Sequence, residues 1–163
     1  MTPHSYLIKA KGWTHLLRRK GNLIGLSRSE VNRIRPALRR DFPAIQKFKT
    51  VFVHSDVQKR HIGEMDGRKV LIDFDQAHYG NELEDWVYLA TRHPLLYRKQ
   101  VVDYLSEKFK ADEDKSASLV QAISFFEKYL TLKGYYDRTI QWRAKPFDLA
   151  AKTYARIRFQ TIR

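Results

Sequence analysis

Three carboxylates in ordered spacing carry the strongest chemical signal in this chain. Asp56 stands in His54-Ser55-Asp56, directly after the apolar run Val51-Phe52-Val53. Asp73 and Asp75 stand in Ile72-Asp73-Phe74-Asp75, at the end of a second apolar run, and Asp66-Gly67 lies between the two segments. Carboxylates delivered by neighbouring strand ends can hold a divalent cation and take a proton from a hydroxyl at one point in space. That is the chemistry of phosphoryl transfer, in which a protein chiefly positions reactants and neutralises charge. A lone Asp at a strand end is most often a turn or capping residue, so the weight rests on the ordered pair and the turn between.

The elements needed to position these acids are readable. Val51-Phe52-Val53 predicts a short buried strand. Ile62–Met65 and Lys69–Ile72 flank Asp66-Gly67, the strongest hairpin signal in the chain. Tyr79-Gly80-Asn81 reads as a turn whose Asn81 caps a helix through Leu83, Val87, Tyr88 and Ala90. Upstream, Ser27-Arg28-Ser29-Glu30 has capping-box form, and Val31, Ile34 and Leu38 continue at helical spacing to about Arg40, where Asp41-Phe42-Pro43 is expected to end the helix. Residues 13–24, with Trp13, Leu16 and Leu17, suggest an earlier helix interrupted by Gly21 and Gly25.

Downstream, Pro94 opens or precedes a helix with Leu95, Val101, Val102, Leu105 and Phe109 apolar. Lys110 to Lys115 reads as a polar connection. Helical spacing resumes at Leu119, Ile123, Phe126, Tyr129 and Leu130 and is expected to stop near Gly134. A last helix is predicted from Phe147 to about Phe159. No repeat, low-complexity tract or linker divides residues 1–163. The expectation is one mainly α-helical (α+β) domain with a short strand and a β-hairpin carrying the acids.

Composition narrows the classes. The apolar share of 43% and aromatic share of 13% support a packed core rather than disorder. Cysteine is absent, which rules out disulfides and thiolate zinc sites and suits a reducing cytosol. No apolar run nears the roughly 20 residues that cross a bilayer, and Met1 to Lys11 lacks a signal-peptide core. A cytoplasmic protein without a membrane partner is expected. The net charge of +13 is unevenly spread. Residues 1–50 carry 12 Lys and Arg against 2 acids, residues 51–90 carry 4 against 8, and residues 91–163 carry 15 against 8. An acidic centre between basic flanks suits a metal-dependent site handling an anion. Solvated helix faces are the plain alternative.

In residues 51–90 the chain resembles the aminoglycoside phosphotransferase and choline kinase-like family, relatives of protein kinases. The family's loop reads H-G-D-x-x-x-x-N, followed by a hairpin, then I-D-F/W-D/E and a helix bearing a further Asp. His54-Ser55-Asp56, Ile72-Asp73-Phe74-Asp75 and Asp85 fall at those places, and Gln76-Ala77-His78-Tyr79-Gly80 is similar to the family's connector. The resemblance implies a protein-kinase-like C-terminal lobe using ATP and Mg2+ on a small-molecule hydroxyl. It makes Asp56 the base, Asp73 a metal ligand, Asp75 a second metal candidate and Ile72 a floor for adenine. It casts His54 and Asp85 as braces of the loop.

Two departures qualify this reading. His61 stands where the family has a metal-binding Asn; imidazole matches Mg2+ poorly, though Mn2+ would tolerate it, and His61 could instead pack the loop. Second, the family's N-terminal lobe supplies a phosphate-covering loop and a Lys strand. The roughly 50 residues before His54 read as helices and turns, so the chain resembles the C-lobe alone, with no N-lobe. Either a second chain supplies that lobe or the polypeptide is a truncated or degenerate relative.

Alternative functions are a non-catalytic kinase-fold binding module and, least favoured, a basic nucleic-acid-binding protein using Arg18, Arg19, Lys20, Arg33, Arg35, Arg39 and Arg40. A choline-like cation would want an aromatic cage, for which Trp86, Tyr88, Tyr135, Tyr136 and Trp142 are candidates, although core packing is the commoner use of such residues.

Overall fold

Apolar helix faces and two short sheets account for the architecture. The computed structural model describes residues 3–20, 27–92 and 94–160, with side chains as far as Ile140 other than those of Lys20 and Lys59. Among these, the order is α1 (Pro3–Lys20), α2 (Arg28–Ile45), β1 (Thr50–Val53), a 3-10 turn (Lys59–His61), β2 (Ile62–Met65), β3 (Arg68–Leu71), β4 (His78–Asn81), α3 (Glu84–Arg92), α4 (Pro94–Phe109) and α5 (Glu113–Gln160). The domain is mainly helical α+β. Two antiparallel two-stranded sheets pair β1 with β4 and β2 with β3. No described helix is long and apolar enough to cross a membrane.

α1, α2 and α5 pack against one another, and α5 also meets α3 and α4. Tyr6 and Leu17 from α1, Val31, Leu38 and Ile45 from α2, Val87 from α3 and Phe125, Phe126 and Leu132 from α5 are all buried. Tyr6 meets Phe125, Phe126 and Tyr129 edge-on at centroid distances of 6.3, 5.4 and 5.1 Å. Each buried Phe or Leu contributes about 1.5–3 kcal/mol through the apolar surface it removes from water.

The α2 start has the expected capping box: the Ser27 hydroxyl accepts the Glu30 N–H, and Glu30 accepts the Ser27 N–H. Its end differs. Pro36 and Pro43 both lie inside the helix, which continues to Ile45. Phe42 and Ile45 are buried, and Lys128 and Ser124 reach across from α5 to the buried Asp41. These contacts outweigh the bond that a proline near a helix end removes. α1 begins ten residues earlier than residue 13, and the Gly21–Gly25 segment lies outside the described residues.

The hairpin matches its sequence signal. Ile62 pairs with Leu71 and Met65 with Arg68, joined by Asp66 and Gly67, both at positive φ (51° and 71°), as a two-residue type I′ turn requires. Tyr79-Gly80-Asn81, expected as a turn, is instead strand β4, with Tyr79 opposite Phe52 and Asn81 opposite Thr50. A glycine at position 80 is what admits the pairing beside α3: a Cβ there would lie 2.6 Å from Glu84 Oε2 and 2.7 Å from Val53 Cγ2. The β1 strand is buried only in part, since Phe52 is 58% exposed. Leu95 in α4 is fully exposed rather than packed.

α5 begins at Glu113, so the polar connection is shorter than expected, and it passes through Gly134 without a break to Gln160. A helical glycine costs only about 1 kcal/mol, and the Lys133–Asp137 pair spans it at 3.2 Å. The separate helix from Phe147 is therefore part of α5.

Candidate active site

β1 delivers His54, Ser55 and Asp56 into a loop that its neighbours hold from two sides. Ser55 has a left-handed backbone (φ 62°), which costs a residue with a Cβ about 1 kcal/mol or more. Asp85, near the start of α3, offsets that cost. Its Oδ2 accepts the His54 N–H at 2.8 Å and its Oδ1 accepts the Ser55 N–H at 2.7 Å. The Ser55 hydroxyl donates to Glu84 Oε1 at 3.1 Å.

His54 is buried and ties this loop to the end of the hairpin. Its Nδ1 accepts the Asp56 N–H at 3.3 Å, so Nε2 carries the proton that it donates to the Ile72 carbonyl at 2.8 Å. The Ile72 N–H in turn donates to the His61 carbonyl at 2.9 Å. Both backbone groups of Ile72 are thus fixed, and Asp73 follows with φ 64°. A non-glycine residue held at that φ is a local strain of the kind found at ligand sites.

The His61 ring lies between the two acids. Nδ1 donates to the Asp56 carbonyl at 2.7 Å and lies 3.5 Å from Asp56 Oδ2. Nε2 accepts the Arg60 Nε–H at 3.0 Å and lies 3.3 Å from Asp73 Oδ2. These partners put the proton on Nδ1 and a lone pair on Nε2. The ring is almost wholly buried, whereas the side chains of Asp56 and Asp73 are 21% and 50% exposed.

Asp56 has more partners than the sequence suggested. Its Oδ1 accepts short hydrogen bonds from the Gln58 amide and from the Tyr88 phenol of α3. The Tyr88 oxygen also accepts Arg92 Nε–H at 3.1 Å and Nη2–H at 2.8 Å. Burial pushes the Asp56 carboxyl up, but the bonds from Tyr88 and Gln58, with the charge of Arg92, outweigh it and hold the carboxyl below its usual range. Burial and the hydrogen bond to Asp56 push the Tyr88 phenol up. Asp56 is therefore ionised at neutral pH.

Beneath the loop is a second polar group that sequence reasoning missed. Glu84, 2% exposed, accepts the Tyr6 phenol at 2.5 Å and the Ser55 hydroxyl, and its Oε2 lies 3.4 Å from His78 Nε2. That His78 nitrogen is buried without a hydrogen bond of good geometry. The contact is best described as an ion pair, and Glu84 raises the His78 pKa, with burial opposing. The Tyr6 oxygen accepts the Asn81 N–H at 2.8 Å, and Asn81 accepts the Leu83 N–H at 3.1 Å just before α3. The available signal was helical spacing: Glu84, Asp85, Tyr88 and Arg92 share one side of α3 at intervals of three and four residues.

The remaining sequence candidates lie at the rim. Ile72 and Phe74 are each 48% exposed, and Phe74 stacks on Phe52 with centroids 6.2 Å apart. Asp75 is exposed, and no described hydrogen bond or ion pair joins it to Asp56, His61 or Asp73. Among the described residues no three His, Asp or Glu side chains converge as a metal cage. Asp73 Oδ2 and His61 Nε2 are close enough to share one cation, but Arg60 already occupies that nitrogen.

Comparison with protein-family models, with curated proteins and with solved structures found no match.

Proposed function

We propose that this domain is a phosphotransferase-like catalytic lobe of protein-kinase-like architecture, moving the γ-phosphate of ATP to a small-molecule hydroxyl. The observation that carries the proposal is the single imidazole of His61 with Asp56 at its Nδ1 edge and Asp73 at its Nε2 edge, 3.5 and 3.3 Å away. That arrangement offers an ionised proton acceptor beside a cation-binding carboxylate. The order of strand, loop, hairpin and helix in the family it resembles gives further support. So does the left-handed Ser55, since the family's loop carries glycine there and glycine adopts that backbone freely.

In the proposed reaction the acceptor hydroxyl gives its proton to Asp56 as its oxygen bonds to the γ-phosphorus. The bond from that phosphorus to the bridging oxygen breaks, and ADP leaves with the electron pair. His54 and Asp85 keep the Asp56 loop fixed, so that the carboxylate meets the hydroxyl without reorganisation. Asp73 would hold the divalent cation, and Mg2+ or Mn2+ bound there with the phosphates would neutralise the charge developing on them. Ile72, Phe74 and Phe52 form an exposed apolar surface for the purine and for a covering lobe, carried on this or another chain.

A second reading has one observation in its favour. The lack of a three-donor metal group among the described residues, with Arg60 on His61 Nε2, suits a kinase-fold binding module that performs no transfer. Calorimetric titration with Mg-ATP separates the two. The phosphotransferase reading expects metal-dependent nucleotide binding that Asp73→Ala abolishes. Binding that is absent, or indifferent to metal and to Asp73, supports the non-catalytic module.

A further inference from the structure

The cleft between α3 and α5 is lined by Tyr88, whose phenol donates to Asp56, and its lining is mainly cationic. It encloses about 240 Å³ and is lined by Tyr88, Arg92, Lys133, Tyr135, Asp137 and Arg138, among others. Building on the phosphotransferase reading, we propose that this cleft is the acceptor subsite and binds the anionic group, a phosphate or carboxylate, of a small hydroxyl compound.

Charge supports this first. The lining holds Arg92, Lys133 and Arg138 against one acid, Asp137, which pairs with Lys133 at 3.2 Å, while Asp56 lies beyond Tyr88 outside the lining. A surplus of positive charge remains in a partly enclosed space, where screening by water is weakened. The aromatic rings then argue against the opposite charge. A cationic ligand would need the faces of Tyr88 and Tyr135. The Arg92 guanidinium already lies 5.0 Å from the Tyr88 ring centroid, and the Arg138 guanidinium 4.6 Å from that of Tyr135. The chain's own cations use the cage that a choline-like ligand would require.

The third point is connection. Tyr88 lines the cleft, and its hydroxyl is the group that donates to Asp56. Only two of the five N–H donors of Arg92 go to Tyr88, so the fork retains donors for a phosphate or carboxylate. A molecule anchored by Arg92, Lys133 and Arg138 would carry its hydroxyl toward the Tyr88–Asp56 pair. The sequence hid this site because its residues come from two helices about 40 positions apart.

The test is a binding titration of the intact protein followed by NMR, using glycerol 3-phosphate and glycerate as anionic probes, glycerol as the neutral control and choline as the cationic one. Arg138 is exposed and Lys133 half-buried, so Arg138→Gln and Lys133→Gln keep the fold. The expected result is that one or both anions shift resonances of Thr91, Arg92 and Tyr135, whereas glycerol and choline do not. Each substitution should weaken anion binding about tenfold, the scale of one lost charge-assisted hydrogen bond. Phosphate-only or carboxylate-only binding identifies the acceptor's anionic group. Shifts by choline, or anion binding indifferent to both substitutions, overturn the inference. Mg-ATP titrations on the same samples report separately: anion binding without Asp73-dependent nucleotide binding leaves an anion site and removes its role as acceptor subsite. Nucleotide binding without anion binding leaves the phosphotransferase reading standing and removes this inference.

Discussion

Tyr88 on α3 donates its phenol proton to Asp56 on the loop after β1 while accepting two N–H bonds from Arg92 one turn further along the helix. Arg92 therefore acts on the loop acid through the phenol as well as through space. The helix also presents Asp85 to the same loop, so the position and the charge of Asp56 are both set by α3.

Removing the phenol oxygen should release the hold on the acid. Asp56 is expected to titrate below the ordinary aspartate value of 3.8, and in Tyr88→Phe its midpoint should move upward. A group depressed on folding stabilises the fold above its unfolded pKa, and that contribution is lost as pH falls through the folded pKa. The variant should therefore lose less stability than the wild type as pH falls below about 4. Carboxyl carbon NMR checks the titration; an unchanged Asp56 midpoint would contradict the account.

Asp85 offsets the left-handed turn at Ser55 with two backbone bonds. Asp85→Ala should cost about 2–3 kcal/mol, since a carboxylate accepting two N–H groups is removed and both donors lose their partner. Urea unfolding measures this. A loss under half a kilocalorie, on the order of a neutral surface change, would mean that the loop is held by something else.

The His78–Glu84 contact predicts a pH dependence of opposite sign. Glu84 raises the His78 pKa above 6.5, so the pair stabilises the fold fully below the unfolded value and loses that effect as pH rises through the folded one. Melting temperature should fall as pH rises above about 6.5 in the wild type and stay flatter in His78→Gln. Parallel curves for the two proteins would exclude the pair as the cause.

Two glycines should respond oppositely to alanine. At Gly80 the added carbon meets Glu84 at 2.6 Å, Val53 at 2.7 Å and the Tyr6 oxygen at 3.0 Å, whereas at Gly134 nothing lies within 4 Å. Gly80→Ala should destabilise by about 1–3 kcal/mol through overpacking, and Gly134→Ala should stabilise by about 0.5–1 kcal/mol through helix propensity. Calorimetric melts of both variants check the contrast.

Legibility followed the range of the interactions. The Ser27–Glu30 box and the Asp66-Gly67 turn are local bonds, and their residues announce them. Pro43 and Tyr79-Gly80-Asn81 carry breaker residues whose effect is overridden by contacts from elsewhere: Lys128 on Asp41, and β1 alongside β4. Gly134 is carried within α5 because a helical glycine costs only about 1 kcal/mol. The site divides in the same way. His54, Asp56, Asp73 and Asp85 stand out because their spacing is compact. The partners Tyr88, Arg92, Glu84 and Tyr6 do not, because only the packing of α1 and α3 around the loop brings them together. Tyr6 and Glu84 are 78 residues apart in the chain and bonded in the fold.

The most direct test of the central claim is NMR of the intact chain with Mn2+ and ATP, whose paramagnetism broadens signals close to the bound ion. The account predicts nucleotide-dependent broadening centred on Asp73, His61 and Asp56 that disappears in Asp73→Ala. Broadening that is absent, that centres elsewhere, or that survives unchanged in the variant would contradict it.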